Sequence, residues 1–336
     1  MRARIPACLT ALAMTLCVAG CGAASGASST ASSGAGDPPD GLIAGDLYVD
    51  PGNPAAQEVA QLRSEGDTDG AAAVERIAAE PTGNWFTEGP NVEAGVRALT
   101  RRASKAGRDV LLVAYYIPGR DCGGYSSGGA PSPAAYMSWI RHFAAGIGPR
   151  RASVILEPDA IAQALTGCLD AAETRERYTL LRFAVSALKS HPQVAVYVDA
   201  GNLGWIQPSR RLAAPLRRSG IEQADGFSLN VSNFYATEPT IAYGTALSKA
   251  LGGTHFVIDT GRNGNGPLGD SRNSQDWCNP PGRALGATPG TMPASPLVDA
   301  YLWVKQPGMS DGSCAPGEPR AGRWWPQYAL ALAGGQ

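Results

Sequence analysis

The chain has 336 residues, 28 basic against 29 acidic, a net charge of −1 and 44% hydrophobic residues. Such a balance, with 17% charged residues, excludes a protein that holds nucleic acid by bulk electrostatics. The apolar and aromatic content excludes disorder throughout, and the length allows one large α/β domain or two smaller ones.

In chain order, Arg2 and Arg4 precede a mostly apolar run over residues 5–18. That run is too short for a membrane-spanning helix, which needs roughly 20 apolar residues. It ends in Val18-Ala19-Gly20-Cys21, which resembles the lipobox of bacterial lipoproteins, where the cysteine is acylated and becomes the mature N-terminus. The alternative is an ordinary secretory signal cut nearby. Residues 1–20 are therefore expected to be a lipoprotein signal, with Cys21 as the lipidation site. Residues 21–40, rich in Gly, Ala and Ser, cannot bury enough surface to order themselves and read as a tether. Loss of Arg2 and Arg4 with the signal leaves the rest slightly more acidic, so the membrane link would be lipid and not a basic patch. The expected location is the outer face of the cell membrane, or the medium if the anchor is not used.

Beyond Cys21, four cysteines remain: Cys122, Cys168, Cys278 and Cys314. An even number in an exported chain suggests two disulfides with three possible pairings, and proximity favours Cys122–Cys168 and Cys278–Cys314. No C-x-x-C occurs and the three histidines are scattered, so no metal is expected.

From residue 41 onward apolar, β-rich runs recur at 110–116, 153–156, 194–198, 226–231, 255–258 and 300–304. Most are continuous, as in strands buried on both faces. Amphipathic stretches at 92–106, 134–147, 171–190, 210–218 and 239–251 lie between them, so the strands should be parallel and joined by helical crossovers. With no Gly-rich phosphate loop after the first strand, a β/α barrel is favoured over a dinucleotide fold. Residues 41–336 are expected to form this one domain.

Almost every apolar run ends in polar groups. Asp121 follows the first, Glu157 and Asp159 the second and Asp199 the third; Asn230 and Asn233 follow the fourth, Asp259 and Arg262 the fifth, Lys305 and Asp311 the sixth. In parallel β/α folds the carboxyl ends of strands converge on one face, where active sites form. Helix capping could explain one or two of these acids, but a cluster of them costs stability. Glycosidic-bond hydrolysis uses such a set: one carboxyl group keeps its proton for the leaving oxygen, another helps activate water. Trp85, Trp205, Trp277 and Tyr115 lie in or beside these loops and suit stacking on sugar rings. Trp139, Trp303, Trp324 and Trp325 are read as packing residues.

The segments Tyr115-Tyr116-Ile117-Pro118-Gly119-Arg120-Asp121-Cys122-Gly123 and Leu156-Glu157-Pro158-Asp159-Ala160-Ile161 resemble the two signature segments of glycoside hydrolase family 6. Further matches include Tyr197-Val198-Asp199-Ala200-Gly201, Leu229-Asn230-Val231-Ser232-Asn233 and Trp277-Cys278-Asn279-Pro280-Pro281-Gly282-Arg283. The resemblance covers essentially all of residues 45–332. It implies a distorted, about seven-stranded parallel β/α barrel that hydrolyses β-1,4-glucans with inversion, as an endoglucanase or cellobiohydrolase, without a cofactor. By the resemblance, Asp159 matches the general acid and Asp121 the carboxylate that raises the acid's pKa and organises water. Asp311 matches the residue argued to be the base, and Asp199 a further carboxylate near the acid. Tyr115 matches the tyrosine that crowds the distorted sugar, and Ser127 the serine that holds water. Trp85, Trp205 and Trp277 match sugar-stacking positions and Lys305 a sugar-hydroxyl contact; Asn202, Asn230 and Asn233 complete the expected substrate-binding set. The cysteine pairing given above is also the family's.

Three positions depart from the family pattern. Asn202 stands where His is usual, Gly261 where Ser is common, and Met309 where Glu is general in Pro-Gly-Glu-Ser-Asp-Gly. The acid remains, so altered turnover or selectivity is expected. Trp277 follows Pro267 by only ten positions, which suggests short loops, an open cleft and internal cleavage. No carbohydrate-binding module is expected, and a monomer is. Two alternatives stay open: a non-catalytic glucan-binding lipoprotein, and a cellobiohydrolase or barrel hydrolase of another β-glucan.

Overall fold

Apolar runs become strands where both faces are covered, and the alternation of side chains along each run shows which face meets what. A computed structural model describes residues 47–269 and 275–334; the expected signal, tether and Cys21 lie outside the described residues. Two helices, α1 (Pro54–Glu65) and α2 (Thr68–Ala78), precede β1 (Asn84–Phe86), α3 (Val92–Lys105) and β2 (Val110–Ala114). Then come α4 (Pro133–Ile147), β3 (Ala152–Leu156), α5 (Ala160–Leu165), α6 (Ala171–Lys189) and β4 (Val194–Asp199). The remainder holds α7 (Ala213–Arg218), β5 (Gly226–Leu229), α8 (Thr237–Leu251), β6 (His255–Asp259), β7 (Val298–Leu302) and α9 (Pro326–Gly334).

Among the described residues the seven strands are parallel and hydrogen-bonded in sequence order. Successive residues of a strand face opposite sides. Leu111 and Val113 of β2, Ile155 of β3, Ala195 and Tyr197 of β4, Val257 of β6 and Leu302 of β7 meet in the interior. Their alternates, among them Leu112, Val154, Val196 and Phe227, pack outward with Ile140, Phe143, Leu181 and Val185 of the helices. The sheet is thus curled into a distorted barrel, as the sequence suggests.

The seam between β1 and β7 is narrow. It rests on one parallel bridge, Thr82 to Trp303, with Gly83 N–H donating to the Trp303 carbonyl at 2.9 Å. A Cβ on Gly83 would lie 2.2 Å from the Val304 carbonyl oxygen, so glycine is required where the two ends close. Helices α1, α2 and α9 cover the seam and bury Trp303 among Val59, Val74, Ile77 and Ala329. Trp303 and Trp139 are packing residues as expected, while Trp324 and Trp325 are half-buried.

Several elements differ from the sequence reading. The last strand begins at Val298 because a bulge opposite Phe256 and Val257 makes Asp299 an extra residue. The stretch 210–218 divides into a 3-10 turn, Ser209–Leu212, and α7. Helices α1, α2, α5 and α9 and the three-residue β1 add to the elements expected from the sequence. Caps explain some of them: Asn53 accepts from Ala56 N–H at 2.9 Å ahead of Pro54, and Asp67 accepts from Gly70 N–H at 2.8 Å.

Candidate active site

Residues of the loops that follow the strands hold several left-handed backbone conformations without glycine: Asp121 (φ 57°), Glu157 (φ 49°), Asp159 (φ 70°), Asn230 (φ 65°) and Ser232 (φ 57°). Each costs of order 1–3 kcal/mol and persists only where surrounding bonds hold it, which is a mark of functional loops. Here those bonds are visible. Buried Glu157 accepts from Tyr116 N–H at 3.0 Å and Ile117 N–H at 3.0 Å, and burial pushes its carboxyl up to about 7 against those bonds. Asp259 collects N–H groups of Ser232 (2.9 Å), Gly261 (3.0 Å) and Lys305 (3.1 Å). The carboxylate at the end of β6 thereby joins three loops.

Above the strand ends lies a cleft of about 1030 Å³ lined by Asp121, Asp159, Asp311, Trp85, Trp205 and Trp277, among others. Asp159 precedes α5 yet makes no cap bond with its side chain, so the capping alternative fails for it. It is half-buried, and its carboxyl is held well above the ordinary range by burial, then by the charges of Asp199 and Asp121, with Lys305 opposing. Asp199 stands behind it, fully enclosed. Its oxygens accept from Asp159 N–H (2.9 Å), Gly201 N–H (3.0 Å) and the Ser228 hydroxyl (3.0 Å), and burial raises it to about 6. Asp199 therefore supports Asp159 and does not line the cleft.

Asp121 is half-buried and accepts from Ser126 N–H at 2.6 Å; burial raises its carboxyl as well. Its loop is knitted by Arg120, which donates to the carbonyls of Thr87 (2.7 Å), Tyr115 (2.7 Å) and Ser126 (2.8 Å) and lies 4.7 Å from the centroid of the Tyr115 ring. Tyr115 in turn meets Trp85 edge-on at 5.3 Å, and the Trp85 indole N–H donates to the Val304 carbonyl at 2.9 Å.

Asp311 is different. Burial alone would raise it, but Arg262 and Lys305 hold it below the ordinary value. The Arg262 guanidinium binds both its oxygens at 2.9 Å, Lys305 Nζ donates to Oδ1 and Asn279 N–H to Oδ2 at 3.0 Å. A carboxylate so fully engaged is a poor proton acceptor. Arg262 is itself buried and lies 4.3 Å from the centroid of the Phe234 ring.

The other expected residues divide. Ser127, Asn202, Asn233 and Lys305 line the cleft with Tyr115 and the three tryptophans, although the Lys305 ammonium is paired with Asp311. Asn202 uses its side-chain oxygen to accept from Gly204 N–H at 3.0 Å. Asn230 requires correction: it is fully buried, donates to the carbonyls of Asp259 (2.9 Å) and Tyr235 (3.1 Å), and accepts from Tyr235 N–H at 3.1 Å. With its amide consumed by backbone, it shapes the loop and cannot bind substrate. Met309 lines the cleft beside Asp311. Glu157 and Arg262 are visible in the sequence as polar groups ending strands, whereas Gln163 and Arg177, which bond toward the Asp121 loop, show only as an amide and a charged residue on otherwise ordinary helices.

Two disulfides, Cys122–Cys168 and Cys278–Cys314, pair as proximity suggested. The first ties the Asp121 loop to the segment after α5, the second the Trp277 loop to the Asp311 loop. Among the described residues the one cluster with metal-ligand geometry, Cys278, Cys314 and Glu318, contains a disulfide whose sulfurs are already bonded.

A parallel β/α barrel whose strand ends bring carboxylates and sugar-sized aromatic faces into one cleft defines a class of polysaccharide hydrolase. The sequence pattern of "Glycosyl hydrolases family 6" matches residues 43–335, and the chain belongs to that family. It is 43% identical to Endoglucanase A of Thermobispora bispora over 275 residues, 80% of this chain and 58% of that protein. With Endoglucanase 1 of Streptomyces halstedii identity is 40% over 296 residues, covering 85% and 88%. The chain thus spans well under two thirds of the length of the first relative and most of the second. Among solved structures, the endoglucanase Cel6 from Mycobacterium tuberculosis in complex with methyl-cellobiosyl-4-deoxy-4-thio-β-D-cellobioside superposes with a TM-score of 0.81 at 44% identity, covering 86% of this chain and 97% of that one.

Proposed function

We propose that this protein hydrolyses internal β-1,4-glucosidic bonds of cellulose or a related β-glucan with inversion, Asp159 acting as general acid. The observation that carries the reading is the placement of Asp159: half-buried in the cleft, next to two other acidic groups, with no cation bonded to it among the described residues. A carboxyl group in that field keeps its proton above the ordinary carboxylate range and can give it to the leaving oxygen as the C1–O bond breaks. Water adds to C1 from the opposite face and its proton leaves toward Asp121, whose Oδ1 has the Gln163 amide at 3.5 Å. Asp311, neutralised by Arg262 and Lys305, serves as scaffold and counter-charge. Trp85, Trp205 and Trp277 offer faces for the sugar chain, and Trp277 is 41% exposed.

Internal cleavage is supported by the relatives. Four bacterial proteins at 40–43% identity are named endoglucanases, whereas fungal cellobiohydrolases reach 29–30%. The loop between Pro267 and Trp277 includes residues 270–274, outside the described residues. The reading is tested on carboxymethylcellulose or a soluble mixed-linkage glucan: viscosity should collapse while few reducing ends have formed. A parallel course, with cellobiose as the early product, would indicate exo action.

Export and anchoring through Cys21, with a tether over residues 21–40 and a catalytic domain over 41–336, are also proposed. The lipobox-like segment supports them, and two disulfides fit an oxidising compartment. No helix among the described residues is long and apolar enough to cross a membrane. Cys21→Ser should move the protein from the detergent phase to the medium; an unchanged distribution would count against the anchor.

A further inference from the structure

Behind the cleft lies a buried polar chain that the hydrolytic scheme does not use. Gln163, on the helix that begins beside Asp159, is buried yet reaches the cleft lining. Its backbone N–H donates to the Asp159 carbonyl at 2.9 Å, and its side-chain Nε2 points at Asp121 Oδ1 at 3.5 Å. Its Oε1 accepts from Arg177 NH1 at 3.2 Å. Arg177, on α6, is buried as well, and its other amino group donates to the carbonyls of Pro118 (2.7 Å) and Gly119 (3.1 Å), the turn that leads into Asp121.

A guanidinium only donates, so the amide oxygen must face Arg177 and the amide NH2 is left for the Asp121 carboxylate. The same arginine fixes the turn that carries Asp121. The Cys122–Cys168 disulfide joins the same two segments a second time. Burying Arg177 and Gln163 is costly unless paired, and the pairing they make is aimed at the two acids of the cleft. The bond to Asp121 is long, as bonds in unliganded sites often are before substrate tightens them.

We propose that Gln163, oriented by Arg177, is a positioning residue that holds Asp121 ionised and at a fixed distance from Asp159, so that Asp121 keeps the proton on the acid. The inference rests on the hydrolytic reading of the site. Charged groups facing the pair are Arg120 on the Asp121 loop, Asp199 at the end of β4, Lys305 after β7 and, beneath them, Glu157 and Arg177. Removing the donor lets Asp121 swing or take up a proton. Either withdraws negative charge from Asp159, which then deprotonates at lower pH.

The test is cellohexaose hydrolysis by wild type, Gln163→Met and Gln163→Glu over a range of pH, with Tm recorded. Gln163→Met should lower kcat about tenfold, the worth of a hydrogen bond to a charged group. KM should stay within about twofold, and the alkaline limb of kcat/KM should move to lower pH, because it reports the free enzyme's acid. Gln163→Glu keeps the shape and the bond to Arg177 but turns an acceptor toward Asp121, so it should lose at least as much kcat; a packing role alone would leave it near wild type. Wild-type kcat and an unmoved alkaline limb in Gln163→Met would overturn the inference while the hydrolytic reading stands. A wild type that leaves cellohexaose intact would overturn that reading itself, and the inference with it.

Discussion

Asp159→Asn should lower kcat on cello-oligosaccharides by roughly 10²–10⁴-fold, the range over which a positioned acid acts, with little change in KM or Tm. The amide fits the same space and keeps the backbone N–H bond to Asp199, but it cannot deliver a proton to the glycosidic oxygen. The loss should depend on the leaving group. A substrate such as a dinitrophenyl cellobioside, whose leaving oxygen needs no protonation, should be cleaved far more nearly at the wild-type rate. Equal loss on both substrates would mean that Asp159 acts in some way other than as acid. The wild-type enzyme should retain activity to a pH above the ordinary carboxylate range, because burial and the charges of Asp199 and Asp121 all favour the protonated form.

Asp311→Ala is the second large effect, and it should appear first as lost stability. Arg262 and Asp311 are both buried and bound through two parallel bonds, with Lys305 sharing the carboxylate. Removing one partner of a buried pair costs roughly 3–5 kcal/mol because the charge left behind is uncompensated. In a domain of this size, Tm should fall by on the order of 10 °C, and activity with it. The sign with pH is set by the depressed carboxyl. Wild-type stability from Asp311 is fully present above its unfolded pKa, near 3.8, and drains away as pH falls through the lower folded value. The variant should lack that acid-side loss. A variant of wild-type Tm but negligible turnover would instead make Asp311 the catalytic base.

Strands β2 to β6 are legible in the sequence because both their faces are covered, leaving continuous apolar runs. The three residues of β1 carry no period, and α5 is only six residues long, so neither announces itself. The rule that polar groups end each strand finds the cleft but cannot sort its members. Asp159 and Asp121 face the space above the sheet, whereas Asp199, Asp259 and Asn230 turn back to hold N–H and carbonyl groups of neighbouring loops. That distinction depends on backbone conformation after the strand, which residue type alone does not encode. The Arg262–Asp311 pair, 49 residues apart, and the Arg177–Gln163–Asp121 chain are products of topology. The roles of individual acids and aromatics follow from family resemblance, whereas Asn230 enters the substrate set only because it ends a strand, and its amide is taken up by backbone.

The most direct measurement is proton NMR of the newly formed reducing end during the first minutes of cellohexaose hydrolysis, before mutarotation equilibrates the anomers. Attack by water on the face opposite Asp159, in a single displacement, produces the α-anomer first, and that is the result expected. Initial accumulation of the β-anomer would require a covalent glycosyl intermediate and contradict the assignment of these carboxylates.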